Sequence, residues 1–221
     1  NQEGYFPPKI AETAKGRTVR DLKEFFHVYP WSDKYPSEVS DDAKKYRDIA
    51  TGVASTLLGW VDANIPTEVA EKLSRPVADM LTGNSRTLLR ILRYPPLEDD
   101  TPEGAVRAAA HEDINLLTVL PASNETGLEL LGADGGWYEV PCDPGSIAVN
   151  CGEMLDRATE GYLPATTHRV VNPVGEAANR ARMSMPLFLA AADDVIITDG
   201  RTAEELLAER IRELRSQDSS D

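Results

Sequence analysis

The stretch His111-Glu112-Asp113-Ile114-Asn115-Leu116-Leu117-Thr118-Val119-Leu120 sets an imidazole and a carboxylate two residues apart, just ahead of a short apolar run. In an extended backbone the side chains at i and i+2 leave on the same side, so one segment offers both groups to a single ion. Farther on, Ala165-Thr166-Thr167-His168-Arg169-Val170 supplies a second imidazole at the head of another strand-like pattern. Two histidines and one carboxylate can take three adjacent corners of an octahedral metal ion and leave three open, which suits Fe(II) and oxygen chemistry. The chain has only three histidines, and two of them fall in this pattern. His27 stands apart from it and reads as structural.

Around this stretch the sequence reads as strands. Runs of period two, or short apolar runs, occupy 87–94, 116–120, 128–131, 137–140, 146–150, 168–172, 182–190 and 195–198. Their separators carry turn chemistry, as in Pro95-Pro96, Asn124-Glu125-Thr126-Gly127, Asp134-Gly135-Gly136, Asp143-Pro144-Gly145 and Asn172-Pro173-Val174-Gly175. Short strands so spaced predict a mainly β fold with flanking helices, a double-sheet jelly roll. Upstream, 21–28 suggests one more short strand. Ser40 is a plausible N-cap for a helix running to about Asn64, with Tyr46, Ile49, Val53, Leu57, Trp60 and Val61 as its apolar stripe. A second helix is expected from Pro66 to Gly83-Asn84, kinked or divided at Pro76. Thr202-Ala203-Glu204-Glu205 is a capping box for a last helix with Leu206, Leu207, Ile211 and Leu214 buried, fraying after Ser216.

The expected organisation is one domain over 1–221: a loop and helical part over 1–85, a jelly-roll core over 86–200 and a C-terminal helix over 201–217. The chain begins without Met in what reads as mid-loop, so an upstream segment is expected.

With 23 Lys and Arg against 37 Asp and Glu, the formal charge is -14, which repels phosphate backbones and argues against nucleic acid. No apolar run approaches the ~20 residues that span a bilayer. The expectation is a cytoplasmic protein, monomeric or weakly dimeric, with a small-molecule substrate. Cys142 and Cys151 are expected as free thiols buried in strands. Gly132-Ala133-Asp134-Gly135-Gly136 lacks both a lysine and a following helix, so it reads as a hairpin rather than a phosphate loop. A serine triad would need histidines already claimed, and two cysteines make no zinc knuckle.

Other residue types complete a candidate site. Arg182-Met183-Ser184 would project a guanidinium fork and a hydroxyl from one strand face, a pair suited to a carboxylate. An arginine pointing inward beside the apolar run 183–192 would need an anion to justify its burial. In Arg90-Ile91-Leu92-Arg93-Tyr94, period two puts Arg90, Leu92 and Tyr94 on one face and Ile91 and Arg93 on the other. Tyr94 could then hydrogen-bond a carboxylate and Arg90 reach a substrate anion. Asn115 and Asn150 could line the cavity or orient a ligand group.

Together these motifs, with Trp137-Tyr138-Glu139-Val140-Pro141, Gly161-Tyr162-Leu163-Pro164 and Pro186-Leu187-Phe188, resemble the isopenicillin N synthase-like branch of the Fe(II)/2-oxoglutarate oxygenases. The resemblance implies a double-stranded β-helix in which His111, Asp113 and His168 hold iron. It also implies that Arg182 and Ser184, with Tyr94, bind 2-oxoglutarate. Arg90, Asn115, Asn150 and Phe188 become candidate substrate contacts. Leu92-Arg93-Tyr94 stands where plant-type members have Asn-x-Tyr, so only the tyrosine carries over. The Leu-Arg-Tyr-Pro wording is closer to isopenicillin N synthase itself, which uses no 2-oxoglutarate and turns its Arg-x-Ser to the substrate. The expected activity is thus oxidation of a small, amino-acid-derived or other secondary metabolite with Fe(II), 2-oxoglutarate and O2, most often hydroxylation with release of succinate and CO2. An oxidase needing no 2-oxoglutarate and a non-catalytic metal-binding jelly roll are the alternatives.

Overall fold

The computed structural model describes residues 3–8, 20–98, 101–102 and 104–218, with side chains as far as Glu213. In chain order its elements are β1 (Gly4–Phe6), β2 (Glu24–Val28), α1 (Asp42–Asn64), α2 (Thr67–Ala70), β3 (Leu88–Tyr94), β4 (Ala108–His111), β5 (Leu117–Pro121), β6 (Leu128–Leu131), β7 (Trp137–Glu139), β8 (Ile147–Cys151), α3 (Glu153–Ala158), β9 (His168–Val170), β10 (Arg182–Ser184), β11 (Leu187–Leu189), β12 (Ile196–Thr198), β13 (Arg201–Thr202) and α4 (Ala203–Asp218).

The large sheet runs β1-β2-β3-β11-β5-β8, with β10 also paired to β3, and the small one runs β4-β9-β6-β7. The pairings are antiparallel. The two sheets make the double-stranded β-helix expected from the strand pattern. β3, β5 and β11 are covered on both faces, which is why they read as apolar runs rather than as clean alternation. Leu89, Val119, Leu187 and Leu189 pack under Ala50 and Ala54 of α1. The opposite face packs Phe25, Leu92 and Tyr94 against Ala108, Leu128 and Val170.

The residue α1 buries differs from the expected stripe. Ala50, Ala54 and Leu58 are its buried positions, whereas Ile49 is 69% exposed and Trp60 63%. Small alanines let the helix lie close on the sheet; Ile49, Val53 and Trp60 turn outward, while Tyr46, Leu57 and Val61 of the expected stripe are partly buried against the core. Ser40 does not cap the helix: its hydroxyl donates to Asp42 Oδ2 at 2.9 Å. The expected second helix is broken into α2 and a 3-10 turn over Ala78–Leu81. Pro76 cannot donate to the preceding turn, and Asp62 instead accepts from the Val77 and Ala78 amides.

The expected strand over 182–190 is likewise split at Met185-Pro186 into β10 and β11, since Pro186 offers no ladder amide. β4 was not expected as a strand of its own, because Ala108-Ala109-Ala110 has poor strand propensity. Neither cysteine is fully buried, and Cys142 lies in the loop after β7 rather than in a strand. The capping box at α4 forms, with Glu205 Oε2 accepting from Thr202 N at 2.9 Å. α4 runs to Asp218, past the expected fraying point at Ser216; the Leu214 side chain lies outside the described residues. No described helix is long and apolar enough to cross a membrane.

Leu58 is fully buried where α1 meets the core. Leu58→Ala should therefore cost about 2–5 kcal/mol in urea unfolding. Trp60→Ala, two positions on, should stay within about 0.5 kcal/mol of the parent; equal costs would contradict this orientation of α1.

Candidate metal centre

His111 closes β4 and His168 opens β9, and the two are direct cross-strand partners in the small sheet. Their ring centroids are 4.4 Å apart. Each ring is aimed by its own backbone: His111 Nδ1 bonds the Ala109 carbonyl at 2.7 Å, and His168 Nδ1 bonds the Thr166 carbonyl at 2.9 Å. Donation from Nδ1 leaves Nε2 as the lone pair turned to the cavity. Asp113 was expected on the same strand as His111, but it lies beyond β4 in the loop entering β5. Its Oδ1 is nonetheless 3.9 Å from His111 Nε2 and 3.7 Å from His168 Nε2. The three donor atoms all fall within 4.8 Å of one another.

Asp113 is 6% exposed and is oriented from behind. Its Oδ2 accepts from Thr118 Oγ1 at 2.5 Å and from Asn150 Nδ2 at 3.0 Å. Asn115 Nδ2 in turn donates to Thr118 Oγ1 at 2.8 Å, fixing the direction in which that hydroxyl points. Burial works against the charged carboxylate, but the two imidazoles and these two hydrogen bonds outweigh it and hold Asp113 below the usual aspartate range. Desolvation, and then the neighbouring His168, push His111 down, which keeps its Nε2 unprotonated near neutrality. Two nitrogens and one carboxylate oxygen, converging from one side, suit a divalent iron with open positions.

The triad opens into a cavity whose wall includes Arg182, Ser184 and Tyr94. Arg182 pairs with Tyr94 across β10 and β3, and Ser184 with Leu92 on the next rung of the same face. Arg182 is 2% exposed. Its Nε donates to the carbonyls of Glu125 and Thr126 at 3.1 and 3.2 Å, while its Nη1 is buried with no hydrogen-bond partner among the described residues. Burial pushes the guanidinium down and the Tyr94 phenol up. A carboxylate placed there would satisfy the orphaned nitrogen and offset the burial of its charge.

Of the residues expected to meet substrate, Arg90, Asn150 and Phe188 line the cavity. Asn115 does not: it is 2% exposed and lies behind Thr118, because the turn into β5 points it away from the cavity. Arg93 faces outward and pairs with Glu24 at 2.6 Å. The sequence reading missed two residues. Thr118, in mid-strand, looked like filler. Lys23 lines the cavity although it is 4% exposed, and its ammonium is 2.9 Å from Asp21 Oδ2. Its place just before β2, next to the β3 tyrosine, becomes readable only once those two strands are known to pair.

A family profile described as the 2OG-Fe(II) oxygenase superfamily matches residues 85–191. The crystal structure of an oxygenase from Shewanella oneidensis is 44% identical and superimposes with a TM-score of 0.82, over 96% of this chain and 75% of that one. A 2OG-Fe(II) oxygenase family protein from Caulobacter crescentus is 31% identical, with a TM-score of 0.72 over 96% of this chain and 75% of its own. Isopenicillin N synthase from Hapsidospora chrysogena is 29% identical over 81% of this chain and 53% of its own length. The chain spans about a third to a half of the length of the curated relatives it matches. A triad of this geometry inside a double-stranded β-helix, together with these likenesses, assigns the chain to the 2OG-Fe(II) oxygenase superfamily.

Proposed function

We propose that this chain carries the iron- and 2-oxoglutarate-binding core of an oxygenase that hydroxylates, or otherwise oxidises, a C–H bond of a small molecule. In hydroxylation the sum is R–H, 2-oxoglutarate and O2 giving R–OH, succinate and CO2. The observation that carries the reading is the buried Arg182, whose Nη1 has no partner among the described residues, in the same cavity as the triad. An anion would satisfy that nitrogen and offset the burial of the charge, and a cosubstrate with a carboxylate at its far end supplies one.

His111, Asp113 and His168 would hold Fe(II), which when bound would activate O2, the oxidant, with two of its four electrons coming from 2-oxoglutarate and two from the C–H bond. The protein's own groups place and shield. The Ala109 and Thr166 carbonyls keep both imidazoles turned inward. Thr118 and Asn150 occupy Asp113 Oδ2 and so reserve Oδ1 for the metal. Arg182, Ser184 and Tyr94 would grip the distal carboxylate of 2-oxoglutarate. Leu92, Leu120, Leu128, Leu130 and Val170 make the remaining wall apolar and limit water at the reacting carbon.

A second reading is an oxidase that needs no 2-oxoglutarate and closes a ring or forms a double bond. It is favoured by Leu92, an apolar residue on the cavity wall beside the Arg182 row. In that case Arg182 and Ser184 would take a carboxylate of the substrate itself.

With Fe(II), ascorbate and O2 the protein should convert added 2-oxoglutarate to succinate even without its substrate, at a slow uncoupled rate. Arg182→Met should raise the 2-oxoglutarate KM about 10- to 100-fold, the loss of a charge-assisted contact. Oxygen uptake indifferent to 2-oxoglutarate would reject the first reading in favour of the second. Thr118→Val keeps the shape and removes the hydroxyl, and should weaken Fe(II) binding about 10- to 100-fold. His168→Ala should abolish tight Fe(II) binding, and wild-type iron content in that variant would remove the triad from consideration.

A further inference from the structure

β3 ends in Pro95-Pro96, two residues without amide hydrogens, so its ladder with β10 cannot run past the rung that pairs Tyr94 with Arg182. In the register of that rung Arg180 would lie opposite Pro96, which has no amide to offer its carbonyl. A side chain from the small sheet supplies the donor instead. Arg107, the residue before β4, donates from Nη2 to the Arg180 carbonyl at 2.8 Å and, more loosely, to the Pro95 carbonyl at 3.4 Å. Its own amide donates to Asn172 Oδ1 at 2.9 Å, and Asn172 Nδ2 donates to the Ala105 carbonyl at 2.8 Å, which fixes the base of the arginine stem. One guanidinium thus ties the strand that carries His111 to both chains of the rung that carries Tyr94 and Arg182.

Carbonyl partners do not neutralise a cation. Arg107 is 1% exposed, and its Nε is buried with no hydrogen-bond partner among the described residues. Glu125, the acidic side chain whose charge reaches it, is already held by the exposed Arg180 at 2.8 Å. Burial, and then the neighbouring Arg182, push the Arg107 guanidinium down, so the two buried cations lie close enough to repel one another. Each keeps one buried nitrogen unused, Nε in Arg107 and Nη1 in Arg182. Like charges in a desolvated interior are costly until an anion arrives. Arg182 lines the cavity, and Arg107 stands behind it. A carboxylate set on Arg182 would offset that repulsion and be attracted by both charges.

We propose that Arg107 is a positioning residue that makes the site select a 2-oxo acid with a second, distal carboxylate: it holds the end of the Tyr94–Arg182 rung and lends that rung a second positive charge. This rests on the reading that Arg182 and Ser184 hold 2-oxoglutarate.

In the test, Fe(II)-loaded protein is titrated anaerobically by calorimetry with 2-oxoglutarate and with 2-oxopentanoate, which has the same 2-oxo acid head and a methyl group in place of the distal carboxylate. The wild type should prefer 2-oxoglutarate by about tenfold or more. Arg107→Met keeps the bulk without charge or donors, and should cut that preference about fivefold, weakening 2-oxoglutarate while 2-oxopentanoate stays within about twofold. Arg107→Lys keeps the charge, and should hold the preference within about twofold of wild type. A purely structural role would act on both ligands alike and leave the preference where it was. Arg107→Gln keeps a donor for the Arg180 carbonyl, and takes the place of Arg107→Met if that variant does not fold, with the same drop expected. The proposal is overturned if the folded neutral variant retains the wild-type preference, or if Arg107→Lys loses as much of it as the neutral variant does. A wild type with no preference for 2-oxoglutarate sinks the cosubstrate reading and the proposal with it, so the wild-type titration alone tells the two failures apart.

Discussion

A carboxylate buried between two imidazoles is the constraint on which the site depends. Removing Asp113 from water is costly unless its oxygens are occupied, and the protein occupies them asymmetrically. Thr118 and Asn150, which serve Oδ2, are direct partners across β5 and β8 of the large sheet. His111 and His168, which face Oδ1, are direct partners across β4 and β9 of the small one. The metal centre thus joins one rung of each sheet through a single loop carboxylate. Its geometry is only as exact as the stacking of the two sheets, which the packing of Leu128 and Val170 on Leu92 and Tyr94 maintains.

The same logic of faces distributes the remaining chemistry. Along β3, Leu89 and Ile91 go to α1, while Arg90, Leu92 and Tyr94 go to the cavity. Along β11, Leu187 and Leu189 go to α1 and Phe188 to the cavity. A slip of one residue would exchange the two sets, burying Arg90 beneath an apolar helix and turning Ile91 onto the metal. Burial on both faces penalises such a slip heavily, and so the fold secures the position of its cavity-lining cations with the energy of its apolar core.

Much of this was legible in the sequence because the signals were chemical and sparse. Three histidines, one of them two residues before an aspartate, leave few ways to build a metal site, and strict alternation on β3 put Arg90 and Tyr94 on one face. The misreadings share a cause: local pattern was outweighed by long-range packing. Ile49, Val53 and Trp60 recur at helical spacing as well as Ala50, Ala54 and Leu58 do, but only the smaller set lets α1 approach the sheet. Ala108–His111 lacks strand-forming residues and is extended because β9 pairs with it. Thr118 and Lys23 gave no signal, since a threonine in mid-strand and a lysine before one acquire meaning only from partners far away in the chain. His27 looked inert for the same reason, its partner Arg90 being brought opposite by the pairing of β2 with β3.

The loop that presents Asp113 shows how closely support and site are joined. After β8 the chain turns at Gly152 and runs directly under that loop: Gly152 N donates to Leu116 O, Glu153 N to Asp113 O and Met154 N to Asn115 O, at 3.1, 2.8 and 3.0 Å. The first amides of α3, which the helix cannot satisfy internally, thereby clamp the carbonyls of the ligand loop. So close an approach leaves no room for a side chain at the turn. A Cβ on Gly152 would lie 2.1 Å from Asn115 Oδ1, 2.5 Å from Asn115 O and 2.7 Å from Asp113 O. Two of those atoms are backbone and cannot rotate away, and the third belongs to the asparagine that orients Thr118. Even one added methyl at Gly152 would therefore press on the metal ligand through two routes, the loop backbone and the Asn115–Thr118 hydrogen bond. The glycine is required here by proximity rather than by backbone angle, since its φ of -105 is open to any residue.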